Sequence, residues 1–390
     1  MSKVLISTLY NLNGGVGSMI AAIIQTLKVQ GHSVTACCTV PYQTKPKLSV
    51  ASWELLFRRP AWRETSINGI RTVEIGIAAP EFEIPYYLSQ PVWTRLIGDH
   101  DVCLAVSGNC LAAYQFYINK VPSLTWAATP YYEDKKDRTS TWPVLRKAVD
   151  RMFLSPIGRA LEKQVLVNTN VLALSQYTAK AFKNSTRTKD FTVLPFPIDA
   201  DLFSSQDRKT DGFTIGFSGR INDPRKNIGL LLRAGRLLKK KFPRLKIKIV
   251  GGIPADFIAA QMAKEGLSEH VEFIPFMQRE NTVDFYRSLD VFVIPSFQEG
   301  LCIAALEAMS CGCPVVTTPC GGPEEYVLDG ENGFFTTFAP ESVTEKVEYL
   351  LSDQKKRMSF SSAAVDTIHT FYNFKRMEDI FWAEYRKVFK

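Results

Sequence analysis

Short β-branched runs alternate with longer apolar or amphipathic stretches along the 390-residue chain, and this alternation sets the expected elements. Lys3 to Thr8 reads as a strand, "NLNGGVGS" as a turn, the apolar stretch to about Gln30 as a helix, and "GHSVTACCTV" as a second strand. A β-loop-α-β opening with a glycine-rich first turn marks a doubly wound parallel sheet. The pattern returns with the strand "FTIGFSGR" (213–220), a helical stretch at 228–240 and the strand "LKIKIVGG" (245–252). "VEFIPFM", "VFVIPSF" and "PVVTTP" follow as strands that end in Gly, Pro or Ser, separated by helical patterns. The expected class is therefore α/β, with two Rossmann-like parallel-sheet halves.

Between the halves, "TVLPFPIDADLF" (192–203) brings two prolines and turn-forming residues, and the hinge is placed there. This divides the chain into domains 1–198 and 199–370 and a terminal segment 371–390. Open α/β sheets bind ligands beyond the carboxyl ends of their strands. A site is expected in the cleft between the halves, where the glycine-rich turn, Gly219-Arg220 and the turn at Glu299 all lie at such ends.

The stretch "PSFQEGLCIAALEAMSCGCPVV" (295–316) places two glutamates in an otherwise small and apolar context. It reads as strand, turn, helix. Glu299 is expected in the turn just outside the helix start, and Glu307 about two turns in, roughly 12 Å further along the axis. A pair of unpartnered core carboxylates would cost several kcal/mol, which disfavours a purely structural reading.

Other motifs carry two readings each. "NGGVGSMI" offers Gly15 and Gly17 but Ile20 where a dinucleotide fingerprint has its third glycine, and no acidic residue ends the second strand. A nicotinamide cofactor is thus disfavoured. The loop is either a helix start presented to a phosphate or sugar, or a tight turn. In "SGRINDPRKN", Arg220 and Lys226 suit a diphosphate, Arg by its fork and Lys as a point charge; from spacing alone, a solvated loop is the commoner reading. The D-x-D patterns Asp99/Asp101 and Asp199/Asp201 read as turn and capping residues, so no metal is expected. Of the four histidines, none has the context of a catalytic base.

Composition narrows the class. A hydrophobic fraction of 46% and a charged fraction of 22% are those of a soluble globular protein. No apolar run approaches a membrane span, and "MSKVLISTLY" is too short an apolar segment for a signal peptide, so a cytoplasmic protein is expected. The eight cysteines lack a C-x-x-C pair and read as reduced core thiols. The net charge of +8 points to anionic partners such as nucleotides, phosphates or lipid headgroups, and is too diffuse to argue for nucleic acid. Part of it is concentrated at 135–163, with eight Lys or Arg against three Asp or Glu and apolar residues at near-helical spacing. The segment is either an interfacial helix attracted to anionic lipid at the inner membrane face or, more commonly in proteins, an amphipathic face packed on its own domain.

Together, "NGGVGS", "GFSGRINDPRKN" and "VFVIPSFQEGLCIAALEAMSCGCPVVTTPCGGPEEYVLDGENGFF" resemble the retaining glycosyltransferases of family 4 (glycosyl transferases group 1), most strongly from about 213 to 340. The resemblance implies the GT-B fold, two Rossmann-like domains facing across a cleft, with the N-terminal domain on the acceptor side and the C-terminal domain on the donor side. It implies that Gly219, Arg220 and Lys226 hold a donor diphosphate, and that Glu299 contacts the transferred sugar. The backbone of Gly300, Leu301 and Cys302 would receive phosphate or sugar oxygens, and Glu307 the ribose hydroxyls. Gly15 would approach the phosphate from the other domain, Gly251 line the nucleotide cleft, and Phe276 and Met277 flank the base.

The implied reaction is metal-independent transfer of a hexose from a UDP-, GDP- or ADP-linked donor, with retention, to a glycan, glycolipid or small-molecule acceptor. Alternatives are a non-catalytic sugar-nucleotide-binding subunit and a phosphorylase or synthase of the same fold. Family members often carry a histidine near the transferred sugar; "SLTWAATPYYEDK" (123–135) has none, and offers Trp126, Thr129, Tyr131 and Glu133 as acceptor-side candidates. The hinge reads Pro-Phe-Pro-Ile-Asp where Asn-Gly before Asp is common. In this fold the last helix returns to the first domain, with Phe374, Met377, Ile380, Phe381 and Tyr385 as its packing face, and domain closure is the expected motion.

Overall fold

The computed structural model describes residues 1–9, 14–80, 82, 84–87, 90–136, 139, 142–206 and 213–389. The first part of the glycine-rich turn (11–13) and residues 137–138 and 140–141 of the basic segment lie outside the described residues. The chain divides into two compact units: Met1–Leu194 with Glu378–Lys390, and Pro195–Met377. These divisions fall inside the proline-bearing segment 192–203 and within the last helix, Phe374–Val388.

Unit 1 is built on β1 (Lys3–Leu9), β2 (Ser33–Val40), β3 (Trp62–Ile67), β4 (Ile70–Gly76), β5 (Val102–Ser107), β6 (Ser123–Ala127) and β7 (Asn170–Ala173). The sheet order is β3-β4-β2-β1-β5-β6-β7. Every pairing is parallel except the β3–β4 edge hairpin. The strand patterns explain the parallel core: β5 and β6 are buried at every position, as expected when helices cover both faces. The antiparallel edge was not expected from the sequence. β3 reads "WRETSI", with most side chains exposed, and only its hairpin with β4 keeps it in the sheet.

Unit 2 contains β8 (Thr214–Ser218), β9 (Lys246–Val250), β10 (Val271–Ile274), β11 (Val291–Ile294), β12 (Val315–Thr317) and β13 (Gly333–Phe335). They form one parallel sheet in the order β10-β9-β8-β11-β12-β13. Its core joins strand residues such as Ile215, Ile247 and Val293 to Leu230, Leu231 and Leu238 of the helix Ile228–Lys241.

In each sheet the strand order reverses once, between β1 and β5 in unit 1 and between β8 and β11 in unit 2. At such a reversal the loops leaving two neighbouring strands run in opposite directions and open a crevice at the carboxyl edge. The helix Gly14–Val29, whose first turn holds Gly15 and Gly17, comes after β1 in the chain, and the segments carrying Arg220 and Glu299 follow β8 and β11. Both motif clusters therefore occupy switch points.

The last helix buries Met377, Phe381 and Tyr385. Within unit 1 its Glu378 accepts a hydrogen bond from Thr26 at 3.3 Å, Glu384 accepts one from Thr192 at 3.2 Å, and Trp382 stacks on His32.

Candidate functional site

After β8 the chain enters a 3-10 turn, Pro224–Lys226, capped by Asp223. Arg225, at the centre of that turn, is buried. Its guanidinium donates to Asp223 Oδ2 at 2.7 Å and to Gln298 Oε1 at 3.1 Å, and its carbonyl accepts the Phe297 N–H at 2.7 Å. Arg225 thus clamps the loop after β8 to the loop after β11. Burial alone would raise the Asp223 carboxyl, but the hydrogen bonds and charge of Arg225, helped by Arg220, bring its pKa down to about 2.

The clamp delivers the neighbouring residue. Lys226 Nζ lies 2.7 and 2.8 Å from the two carboxylate oxygens of Glu299. Ser296 Oγ donates to the same carboxylate at 2.6 Å. The Glu299 backbone is fixed as well, with its N–H on the Cys320 carbonyl and its carbonyl accepting from Gly322 N–H. Arg220, by contrast, keeps a side chain 67% exposed and touches Asp223 at 3.3 Å. A buried carboxylate, a partly buried ammonium and a solvent-facing guanidinium thus line the switch point of unit 2.

Two backbone approaches need glycine. Gly251, at φ +150°, would place a Cβ 1.8 Å from the Gly219 carbonyl oxygen. Gly322 would place one 2.3 Å from Leu301 Cα. The first holds the loops after β8 and β9 together; the second seats the segment after β12 against the entry to the helix Ile303–Ser310.

That entry corrects one expectation. The helix starts at Ile303, because Cys302 adopts a left-handed φ of +65° and breaks the backbone. Glu307 is therefore a little over one turn into the helix, and the interval from Glu299 is only partly helical, so the 12 Å spacing along one axis does not hold. Leu301 is buried, and its carbonyl accepts from the Tyr326 hydroxyl at 2.9 Å. Burial, reinforced by the charge of Glu299, pushes the Cys302 thiol well above its ordinary pKa. It contributes backbone shape here, with a thiol held in its unreactive protonated form.

Glu307 is buried and already has protein donors: Arg279 Nε at 2.7 Å and the Tyr286 hydroxyl at 2.9 Å. Desolvation raises its pKa against the opposing pull of Arg279 and Tyr286. Arg279 also lies over the rings of Phe203 and Phe196, with 5.0 and 5.5 Å to the centroids. A carboxylate has about four acceptor positions, so these two donors leave capacity for hydroxyl groups. Phe276 is exposed and Met277 half-buried in the loop after β10.

Sequence reasoning missed Asp223, Arg225, Arg279, Tyr286 and Ser296. The D-P-R order at 223–225 was a legible capping signal. Arg279 and Tyr286 reach Glu307 through the packing of the segment after β10, which no local spacing reveals.

In unit 1, Gly15 lies in the first turn of the helix Gly14–Val29. The acceptor-side candidates are corrected. Trp126 is buried within β6, its indole N–H on the Leu194 carbonyl at 3.0 Å. Tyr131 is buried too, with its ring against Gly158 and its hydroxyl accepting from Lys135 Nζ. Full burial leaves neither side chain a surface for an acceptor, and Thr129 is buried as well. The D-x-D residues act in turns and strand starts: Asp101 accepts the Lys3 N–H, and Asp199 accepts the N–H groups of Asp201 and Leu202. Among the described residues seven cysteines are buried, Cys302 is half-buried, and all eight are free thiols. No helix among them is long and apolar enough to cross a membrane.

This architecture is the GT-B fold of glycosyltransferases. Sucrose-phosphate synthase from Thermosynechococcus elongatus superposes with a TM-score of 0.74 at 16% identity, covering 99% of this chain and 98% of that one. Anabaena HepE, solved in complex with UDP-glucose, superposes with a TM-score of 0.72 at 17% identity, over 99% and 100% of the two chains. Residues 199–366, which hold the whole unit 2 cluster, match the family Glycosyl transferases group 1. Among curated relatives, the D-inositol 3-phosphate glycosyltransferase of Mycolicibacterium smegmatis is 33% identical over 206 residues, 49% of this chain and 44% of the relative. That of Mycobacteroides abscessus is 30% identical over 185 residues, 43% of this chain and 40% of the relative. The chain thus spans less than half the length of these relatives.

Proposed function

We propose that the protein transfers a hexose from a nucleotide-diphosphate donor to a hydroxyl acceptor, with retention of anomeric configuration and without an obligatory metal. The observation that carries this reading is the Lys226–Glu299 pair, held by the Arg225 clamp at the switch point of a unit that matches the glycosyl transferases group 1 family. An ammonium has three donors, so Lys226 can hold Glu299 and a phosphate oxygen together. Arg220, still largely solvated, supplies the second cation for the diphosphate.

In the proposed reaction the bond from the anomeric carbon to the phosphate oxygen breaks, and the charge that develops on the diphosphate is met by Lys226 and Arg220. The acceptor oxygen bonds to the same face of that carbon, and its proton passes to the departing phosphate. Glu299 accepts from sugar hydroxyls, and Glu307 from those of the ribose. Two cations placed in advance at the leaving group supply the role a divalent ion would otherwise fill.

The test is thermal unfolding against UDP, GDP, ADP and their sugar derivatives. A ligand at about 100 times its Kd adds about 2.7 kcal/mol of stability. A shift selective for one nucleotide, and lost in Glu307→Ala, supports the donor reading; absence of any shift overturns it. The anomeric configuration of the product, read by NMR, decides retention.

A further inference from the structure

From Val144 to Asn168 the chain is one continuous helical segment, with a π turn at Asp150–Leu154 between two α-helical stretches. Its inner face is fixed in unit 1. Asp150, Ser155, Gly158, Glu162, Val165 and Leu166 are buried. Asp150 pairs with buried Lys135 at 2.5 Å and accepts from Ser155 Oγ, while Glu162 accepts the Tyr131 N–H at 2.8 Å.

The outer face of the first half is apolar and uncovered. Leu145 is 78% exposed, Met152 61%, Phe153 60%, with Val144, Val149 and Ile157 also in solvent. Leu145, Val149, Phe153 and Ile157 follow one another at intervals of four. In an unbroken α-helix of 3.6 residues per turn such a series rotates steadily around the axis; the wider π turn takes that rotation back and keeps the four on one side. The stripe from Leu145 to Ile157 is about 18 Å long.

Charge is sorted as sharply. Every exposed charged side chain between Val144 and Lys163 is cationic: Arg146, Lys147, Arg151, Arg159 and Lys163. Both acids of the stretch, Asp150 and Glu162, are buried on the opposite side. A second exposed cluster, Trp53, Leu56 and Phe57 beside Arg59, follows β2. β2 and β6 run parallel in the sheet, and the segments leaving them emerge at the same carboxyl end. The helical segment begins at that end, since it returns to β7, which starts at the other.

We infer that this face of unit 1 docks on an anionic lipid bilayer, with Leu145, Met152, Phe153 and Ile157 entering the headgroup boundary and the flanking cations meeting lipid phosphates. An apolar stripe whose own helical segment exposes only positive charge complements a surface that is negative outside and hydrocarbon within. A protein partner of ordinary composition would leave several of these cations unpaired. The inference stands independently of sugar transfer, because neither the stripe nor its test involves the residues of unit 2.

The experiment is co-sedimentation of the full chain with phosphatidylglycerol/phosphatidylcholine vesicles and with phosphatidylcholine vesicles alone. Binding to the anionic vesicles only, weakening as salt rises, is expected. Leu145→Asp/Phe153→Asp should lower partitioning at least tenfold, and Arg151→Gln roughly fivefold. These side chains are exposed, and unchanged thermal unfolding verifies that each variant folds. No binding to anionic vesicles overturns the inference, as does binding that the Leu145/Phe153 variant leaves unchanged. Concentration-dependent self-association that this variant abolishes, without lipid binding, overturns it in favour of a second copy of the chain as the occupant.

Discussion

The ammonium of Lys226 touches both carboxylate oxygens of Glu299, so the two groups proposed to meet opposite ends of the bond that breaks are themselves partners. Both side chains are largely buried. Removing one partner of such a pair costs about 3–5 kcal/mol by stranding the other charge. Lys226→Ala should therefore lose stability and also lower turnover roughly a hundredfold or more. Adding Glu299→Gln removes the stranded charge, and the double variant should recover most of its melting temperature while remaining inactive. Recovery of turnover along with stability would show that Lys226 serves only the fold.

Gly251→Ala tests the contact between the loops after β8 and β9. Its Cβ would fall 1.8 Å from a backbone oxygen, which cannot rotate away as a side chain could. The loop carrying Gly219 and Arg220 must move instead. The expected result is a stability loss on the order of 1–3 kcal/mol, together with weaker stabilisation by nucleoside diphosphates in thermal unfolding. An alanine variant with wild-type nucleotide response would remove Gly251 from the donor site.

Stability should fall with rising pH through one identified carboxyl. Burial, opposed by the Tyr131 N–H and reinforced by Glu133, raises Glu162 from 4.5 to about 7. The folded state then holds a proton that the unfolded state has released, so the contribution is complete below about pH 4.5 and is lost as pH rises to about 7. The change is about 3 kcal/mol. Glu162→Gln, which keeps an oxygen for the Tyr131 N–H, should flatten that part of the profile. Parallel profiles for wild type and variant from pH 5 to 8 would contradict the assignment.

Turnover in excess EDTA should equal turnover in magnesium if Lys226 and Arg220 alone meet the diphosphate. A tenfold or greater loss in EDTA would establish a metal requirement.

The repeated strand-turn-helix pattern made both sheets legible, because parallel strands buried on two faces announce themselves as β-branched runs. β3 escaped notice because an exposed edge strand has no such signature. Arg220, Lys226 and Glu299 were legible as residue types at turns; that Lys226 and Glu299 touch follows from β8 and β11 being neighbours, a fact of sheet order. Trp126 and Tyr131 misled for the opposite reason. They stand at the carboxyl end of β6, where a ligand residue belongs, yet the helical segment beside them packs so closely at Gly158 that the Tyr131 ring is enclosed.

Unit 1 is discontinuous in the chain, and this orders events during synthesis. Residues 195–377 leave the ribosome with all the contacts of unit 2 available, whereas unit 1, though begun first, lacks Glu378, Phe381, Trp382 and Glu384 until those residues emerge. Domains generally fold as units, N-terminal first. Here the later-made unit can be completed before the earlier one, and the nascent first unit keeps His32 and Thr26 uncovered until residues 378–382 have been made.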